Sequence, residues 1–149
     1  MPVAFELDGT ALVGKARFLD ADPAIPSETA RIYLKVVAPQ HDFSFLAQLD
    51  TGAAWTVFDP QLTEALNADP LEANAVTLST RLGEFTGRLA RATLRFLVDE
   101  GDSVDVEATI FVSPAWPAGR NFIAYTGTLE RVRFAVDPTE NEIYYGVLG

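Results

Sequence analysis

Few residues of this chain could do chemistry, and the best placed is an acid. Asp50, Thr51 and Gly52 end the apolar run Phe45-Leu46-Ala47-Gln48-Leu49 and precede a second β-prone run, Ala53-Ala54-Trp55-Thr56-Val57-Phe58. A carboxylate that closes a buried strand is costly unless a partner or a reaction uses it. The glycine lets the backbone approach the acid closely, and the threonine hydroxyl can bond locally or across to a second copy. Asp-Thr-Gly also serves as an ordinary turn, its aspartate bonding the following backbone. Strand-like segments on both sides favour instead an acid at the base of a cleft, where it can take up or give a proton.

The other candidates are weaker. Zero cysteines exclude disulfides and thiol catalysis, and a single histidine excludes a histidine metal cage. His41 lies among the turn residues Ala38-Pro39-Gln40-His41-Asp42, no Gly-x-Ser-x-Gly accompanies it, and it reads as a surface side chain. Asp99-Glu100-Gly101-Asp102-Ser103 lacks the spacing of a calcium loop and reads as a solvated connection. Phe5-Glu6-Leu7-Asp8-Gly9-Thr10 resembles the first motif of haloacid-dehalogenase-type phosphatases, but Glu6 stands where their nucleophilic aspartate belongs. Asp8-Gly9-Thr10 is read as a hairpin turn. No metal and no cofactor are expected.

Composition narrows the class. The 149 residues, 48% hydrophobic, suit one domain over 1–149 with its own core. A formal charge of -10 argues against a nucleic-acid partner, because binding a phosphate backbone needs a basic surface. Arg81, Arg88, Arg91 and Arg95 read as a solvated strand face. No run is long and apolar enough for a membrane span, and Met1-Pro2-Val3-Ala4-Phe5-Glu6 lacks the pattern of a signal peptide, so a soluble cytoplasmic protein is expected.

The elements that must position Asp50 are mostly strands. Residues 3–7 and 11–18 form a hairpin, 20–29 with Pro23 and Pro26 a connection, and 31–37 and 43–49 the pair of strands that delivers the acid. Asp59 followed by Pro60 caps a short helix through Leu66. Strand resumes over 75–80, and Arg81-Leu82-Gly83-Glu84-Phe85-Thr86-Gly87 forms a hairpin tip with two glycines. Ala90, Ala92, Leu94, Phe96 and Val98 alternate with the mostly polar Arg91, Thr93, Arg95 and Leu97, and Val104, Val106, Ala108, Ile110 and Val112 repeat the pattern, with Asp105, Glu107 and Thr109 outward. With 99–103 as the loop, Val98 faces Val104 and Arg95 falls opposite Glu107. Ser113 to Ala118 breaks the sheet, 121–125 is a short helical turn, and 131–136 and 143–146 are the last strands.

Two segments carry a family resemblance. Leu49-Asp50-Thr51-Gly52-Ala53, followed by Thr56-Val57, resembles the active-site segment of the retropepsin-like aspartic proteases, the single-lobed relatives of pepsin that include the retroviral proteases. Gly119-Arg120-Asn121-Phe122-Ile123, with Gly127 and Leu129 following, resembles the Gly-Arg-Asn and two apolar residues with which retroviral proteases enter their C-terminal helix. The resemblance spans roughly Arg31 to Gly146, which makes 31–146 the protease core and 1–30 an N-terminal hairpin and connection.

What it implies is specific. The fold is expected to be mainly β, a closed or partly open barrel with one or two short helices and a flap hairpin. The activity is that of an aspartic endopeptidase, and because the chain holds one Asp-Thr-Gly, two copies must pair to supply two aspartates. Asp50 is then catalytic; Thr51, Gly52 and Arg120 support its loop; Ala53, Trp55, Gly83, Glu84, Phe85 and Thr86 contact an extended peptide. In retroviral proteases the terminal strands of two subunits interleave, which marks 143–146 as a candidate interface. Their residues at the positions of Ala54 and Trp55 are usually acidic and the first pairs with the arginine matched here by Arg120; Ala54 cannot, so the chain sits nearer the cellular bacterial members. A catalytically silent module of the same fold, binding peptide or only dimerising, is the alternative.

Overall fold

Alternating apolar and polar side chains turn most of this chain into sheet. The structure, a computed structural model, describes residues 5–7, 10–20, 32–71 and 75–148. In chain order these form β1 (Phe5–Leu7), β2 (Thr10–Leu12), β3 (Gly14–Arg17), β4 (Tyr33–Ala38), β5 (Phe43–Asp50), β6 (Thr56–Val57), α1 (Pro60–Leu66), β7 (Asp69–Pro70) and β8 (Val76–Thr80). There follow β9 (Gly83–Phe96), β10 (Glu100–Gly101), β11 (Val104–Val112), β12 (Phe122–Ala124), a single 3-10 turn at Leu129–Arg131, β13 (Val132–Asp137) and β14 (Glu142–Val147). The Asp8-Gly9 turn, the connection after Asp20 and the expected strand start at Arg31 lie outside the described residues.

The strands β11, β6, β12, β5, β4 and β9 are neighbours in that order, and β9 pairs back onto β11, so the sheet closes into a barrel. Closure removes the free edges along its wall. Leu34, Val36, Ala47, Leu94, Phe96, Ala108, Ile110 and Ile123 fill it and are buried. The mainly β barrel with one short α-helix is the architecture expected from the sequence. Helix α1 begins as its sequence dictates: Asp59 Oδ1 accepts from the Gln61 and Leu62 amides at 2.8 and 3.4 Å, and Pro60 takes the first turn.

A second sheet, ordered β10-β3-β14-β13, joins the two ends of the chain. It changes the expectation that the terminal strand is free to interleave with that of a second subunit. Glu142 to Tyr145 pair with β3 on one side, and the whole of β14 pairs with β13 on the other, so β14 is interior. Phe96 of the barrel stacks on Tyr145 of this sheet, ring centroids 4.8 Å apart. Burial there pushes the Tyr145 phenol above the ordinary tyrosine range.

Three other expectations change. The hairpin β9–β11 pairs Phe96 with Val104, which sets Arg95 opposite Asp105 and Thr93 opposite Glu107. The reason is that β9 ends early: the Leu97 amide bonds the Lys35 carbonyl, the Asp99 amide bonds Lys15, and Glu100–Gly101 pair with β3. Arg95 Nε therefore donates to Asp105 Oδ1 at 2.7 Å. Thr109 is buried rather than outward, its amide bonded to Gly127 O, because the turn at Gly127 covers that face of β11. Residues 122–124 are a strand and not a helical turn, since they slot between β5 and β6; helical geometry comes later, at Leu129–Arg131.

The β8–β9 hairpin closes more tightly than its sequence suggests. Thr80 pairs with Gly83, leaving Arg81 and Leu82 as the whole tip and placing Gly83 to Gly87 within the strand pairing. At Gly87 the strand passes so close to β11 that an added Cβ would sit 2.2 Å from the Val112 carbonyl oxygen and 2.9 Å from the Phe111 ring. Gly87→Ala is expected to destabilise the fold by about 1–3 kcal/mol, read as a lower urea midpoint with an unchanged slope.

Candidate active site

Strand β5 carries Asp50 to the barrel rim. It pairs antiparallel with β4 and parallel with β12, where Gln48, Leu49 and Asp50 face Phe122, Ile123 and Ala124. The chain turns at once: Asp50 Oδ1 accepts from the Gly52 amide at 3.1 Å, and the Asp50 carbonyl accepts from Ala53 at 3.2 Å. This is the local turn that Asp-Thr-Gly can make anywhere, here fixed to the end of a barrel strand. Asp50 is half-buried, Thr51 and Gly52 are exposed, and Oδ2 of the acid has no partner among the described residues. In one chain the acid sits on an open rim, not at the base of a cleft.

Neutral hydrogen bonds hold the strands beneath this turn. Thr56, at the start of β6, is fully buried; its Oγ1 accepts the Ala124 amide at 3.0 Å and lies 2.7 Å from Oγ1 of the equally buried Thr128. Ala124 is the strand neighbour of Asp50, so this pair of hydroxyls braces the acid's own position in the sheet. At the other end of β12, Asn121 Oδ1 accepts the Asp59 amide at 2.8 Å, its Nδ2 donates to the Leu46 carbonyl at 3.2 Å, and its carbonyl accepts the Gln48 amide at 2.9 Å. Asp59 Oδ2 in turn accepts from the Gly119 amide. Thr128 and Asp59 were not legible as partners of these segments. Thr56 and Asn121 lie inside the two quoted motifs, and that is the signal that could have found them.

The remaining residues singled out in the sequence fall in three places. Ala53 belongs to the Asp50 turn. Trp55 and Phe85 meet in one apolar cluster with Val57, Leu78, Phe111, Trp116 and Phe122, so the hairpin and the active-site segment share packing. Phe85 stands edge-on to Trp116 at 4.9 Å, and Trp116 Nε1 donates to the Arg120 carbonyl at 2.8 Å. Trp55 also borders the left-handed turn at Gly127, φ 78°, where an added Cβ would meet its ring at 3.4 Å and Thr109 at 2.8 Å. Gly83, Glu84 and Thr86 are exposed on the hairpin. Arg120 lies beside Leu46 and Gln48 at the far end of β12, four positions before Ala124, a backbone separation from the acid's level of roughly 13 Å.

Comparison with protein-family models and with curated proteins finds no match. Among solved structures, the crystal structure of a retropepsin-like aspartic protease from Rickettsia conorii matches over 89% of this chain and 98% of that one, with a TM-score of 0.51 and 13% identity. The fold is retropepsin-like. At that identity the likeness speaks for the backbone, and the chemistry has to come from the side chains.

Within this retropepsin-like barrel the buried hydroxyl pair gives a direct test. Thr56→Val keeps the shape but strands the Ala124 amide and the Thr128 hydroxyl, each in a dry site. It is expected to cost about 1–3 kcal/mol in chemical denaturation, while Thr56→Ser stays within about 1 kcal/mol of the parent.

Proposed function

We propose that this chain is an aspartic endopeptidase that works as a homodimer, one Asp50 from each copy forming the catalytic pair. The observation that carries the reading is Asp50 itself: it ends a barrel strand of a retropepsin-like fold, with one oxygen on the Gly52 amide and the other open. Exposure of Thr51, Gly52 and Ala54 around it supports a rim that a second copy covers.

The chemistry follows from two carboxylates sharing one proton. The ionised member takes a proton from a water as the water oxygen attacks the peptide carbonyl, and the protonated member gives its proton to the carbonyl oxygen. The tetrahedral adduct then collapses: the carboxyl that took the water's proton gives it to the amine nitrogen as the C–N bond breaks, and the other carboxylate takes back the hydroxyl proton as the new carbonyl forms, which restores the singly protonated pair. Like charges held close do not both ionise, so the pair titrates as a unit. Thr51 braces the opposing loop, and Gly52 and Ala53 offer backbone groups to an extended peptide. The exposed edge residues Gly83, Glu84 and Thr86 cover that peptide, while Phe85 anchors the hairpin and Trp55 shapes an apolar subsite. Arg120 supports the loop indirectly, through Trp116 and β12.

The test is cleavage of a peptide library across roughly pH 3 to 7, where activity should rise and fall as the dyad passes through its singly protonated form. Asp50→Asn is expected to abolish cleavage while leaving the fold intact, and Trp55→Ala to change the preferred side chain next to the scissile bond. A folded, dimeric protein that cleaves nothing would instead support the catalytically silent peptide-binding or dimerising module.

A further inference from the structure

The homodimer proposed above requires an interface, and an interior β14 does not provide one. We infer that two copies join along the open edge of β13, antiparallel, with the two-fold axis passing at Ala135. The direction of the backbone groups sets this up. The Phe18 amide bonds the Asn141 carbonyl and the Val13 amide bonds the Tyr145 carbonyl, while the Arg17 amide turns away to Asp99. The odd-numbered residues of β14 therefore face β3, and Glu142, Tyr144 and Gly146 face β13. Their partners Asp137, Ala135 and Arg133 turn inward, which leaves the N–H and C=O groups of Phe134 and Val136 pointing outward, while the outward amide of Val132 is taken by the Leu129 carbonyl. No described residue pairs with the edge at Phe134 and Val136.

An unpaired edge is a template for another strand. Outward groups must meet outward groups, so an axis at Ala135 bonds Phe134 of one copy to Val136 of the other, twice. The same register sets Arg133 of each copy opposite Asp137 of the other. Arg133 is exposed and has no acceptor among the described residues; Asp137 uses Oδ1 for the Thr139 amide and keeps Oδ2 free. Moving the axis by one residue either way sets Arg133 against Ala135 or Thr139 instead, so charge selects this register.

The surroundings fit a second copy of this chain. A groove of about 310 Å³ is lined by residues 132–135 with Leu12, Tyr125, Leu129, Glu130 and Leu148. Four consecutive residues of an extended strand line one groove when it runs along the strand's edge. Tyr125 and Leu148 are each 51% exposed and Val147 58%, an apolar rim that the second copy covers. Tyr125 directly follows Ala124, the strand neighbour of Asp50, so the edge is continuous with the loop that must meet its twin.

The absence of cysteine makes the test clean. Across a non-hydrogen-bonded antiparallel pair the Cα atoms lie ~4.5 Å apart, within disulfide range. Ala135→Cys should therefore form a covalent dimer under mild oxidation at least ten-fold faster than Ser103→Cys, an exposed control beyond the opposite edge of the same sheet. In sedimentation, Arg133→Asp should weaken self-association at least ten-fold, and adding Asp137→Arg to it should restore the parent value; thermal melting confirms that each variant is folded. A monomeric parent, cross-linking no faster than the control, or a double exchange that fails to rescue overturns the interface. The two proposals separate cleanly: a cross-linked dimer that cleaves no peptide keeps the interface and sinks the protease, whereas cleavage by a dimer indifferent to these changes does the reverse.

Discussion

The pairing of β5 with β12 is the constraint on which the rest depends. Parallel strands cannot be joined by a tight turn, so their register has to be fixed by groups brought from elsewhere in the chain. Here that is done at both ends. Asn121 ties the entry of β12 to Leu46, Gln48 and Asp59, and the Thr56–Thr128 hydroxyls tie its exit to β6. Between these clamps Ile123 is fully buried and the barrel closes through β9 and β11. Asp50 inherits its position from this arrangement, so the acid stands on a rigid element even though it begins a loop.

The second sheet changes what a single chain can do for itself. Strand β3 lies beside β14 and Lys15 reaches Glu142 at 3.1 Å and Glu100 at 3.6 Å, so the N-terminal segment completes the sheet made by the C-terminal hairpin. The Phe96–Tyr145 stack then locks that sheet to the barrel. A chain that satisfies its own terminal strand has no need of a partner's, and the free edge moves outward to β13. The dimer proposed above would thereby join two finished subunits rather than exchange strands between unfinished ones.

Much of this was legible in the sequence, and the failures share a cause. The alternation at 90–96 and 104–112 gave the long hairpin, Asp59-Pro60 gave the helix start, and the acid followed by Thr-Gly gave the turn at the strand end. Those signals are local. The misreadings all involve contacts between distant segments: Leu97 leaves the hairpin for Lys35 and shifts the register, Gly127 folds over Thr109 and buries it, and β3 occupies the edge of β14. Phe122–Ala124 read as helical because the resemblance supplied a helix there, whereas its slot between two barrel strands imposes extended backbone. The place of Asp50 in a turn at a strand end was readable from its neighbours alone, and the bond of Thr128 was not, because its partner lies 72 residues away.

The chemistry of the clamps bears on the conditions under which such a site works. An ion pair between Arg120 and an acid at position 54 would lose its attraction as the acid took up a proton, in the same acidic range in which a carboxylate dyad operates. Ala54 removes that possibility, and the buried bonds that brace the strand neighbour of Asp50 are made by two hydroxyls and a backbone amide, none of which titrates there. Asp59, which bonds Asn121 and the Gly119 amide, lies at the end of β12 remote from Asp50. The strands beneath the Asp50 turn are held by neutral, buried hydrogen bonds whose strength does not depend on the charge of any carboxylate. Support for the strand end and the acid it carries are thus separated in space and in kind.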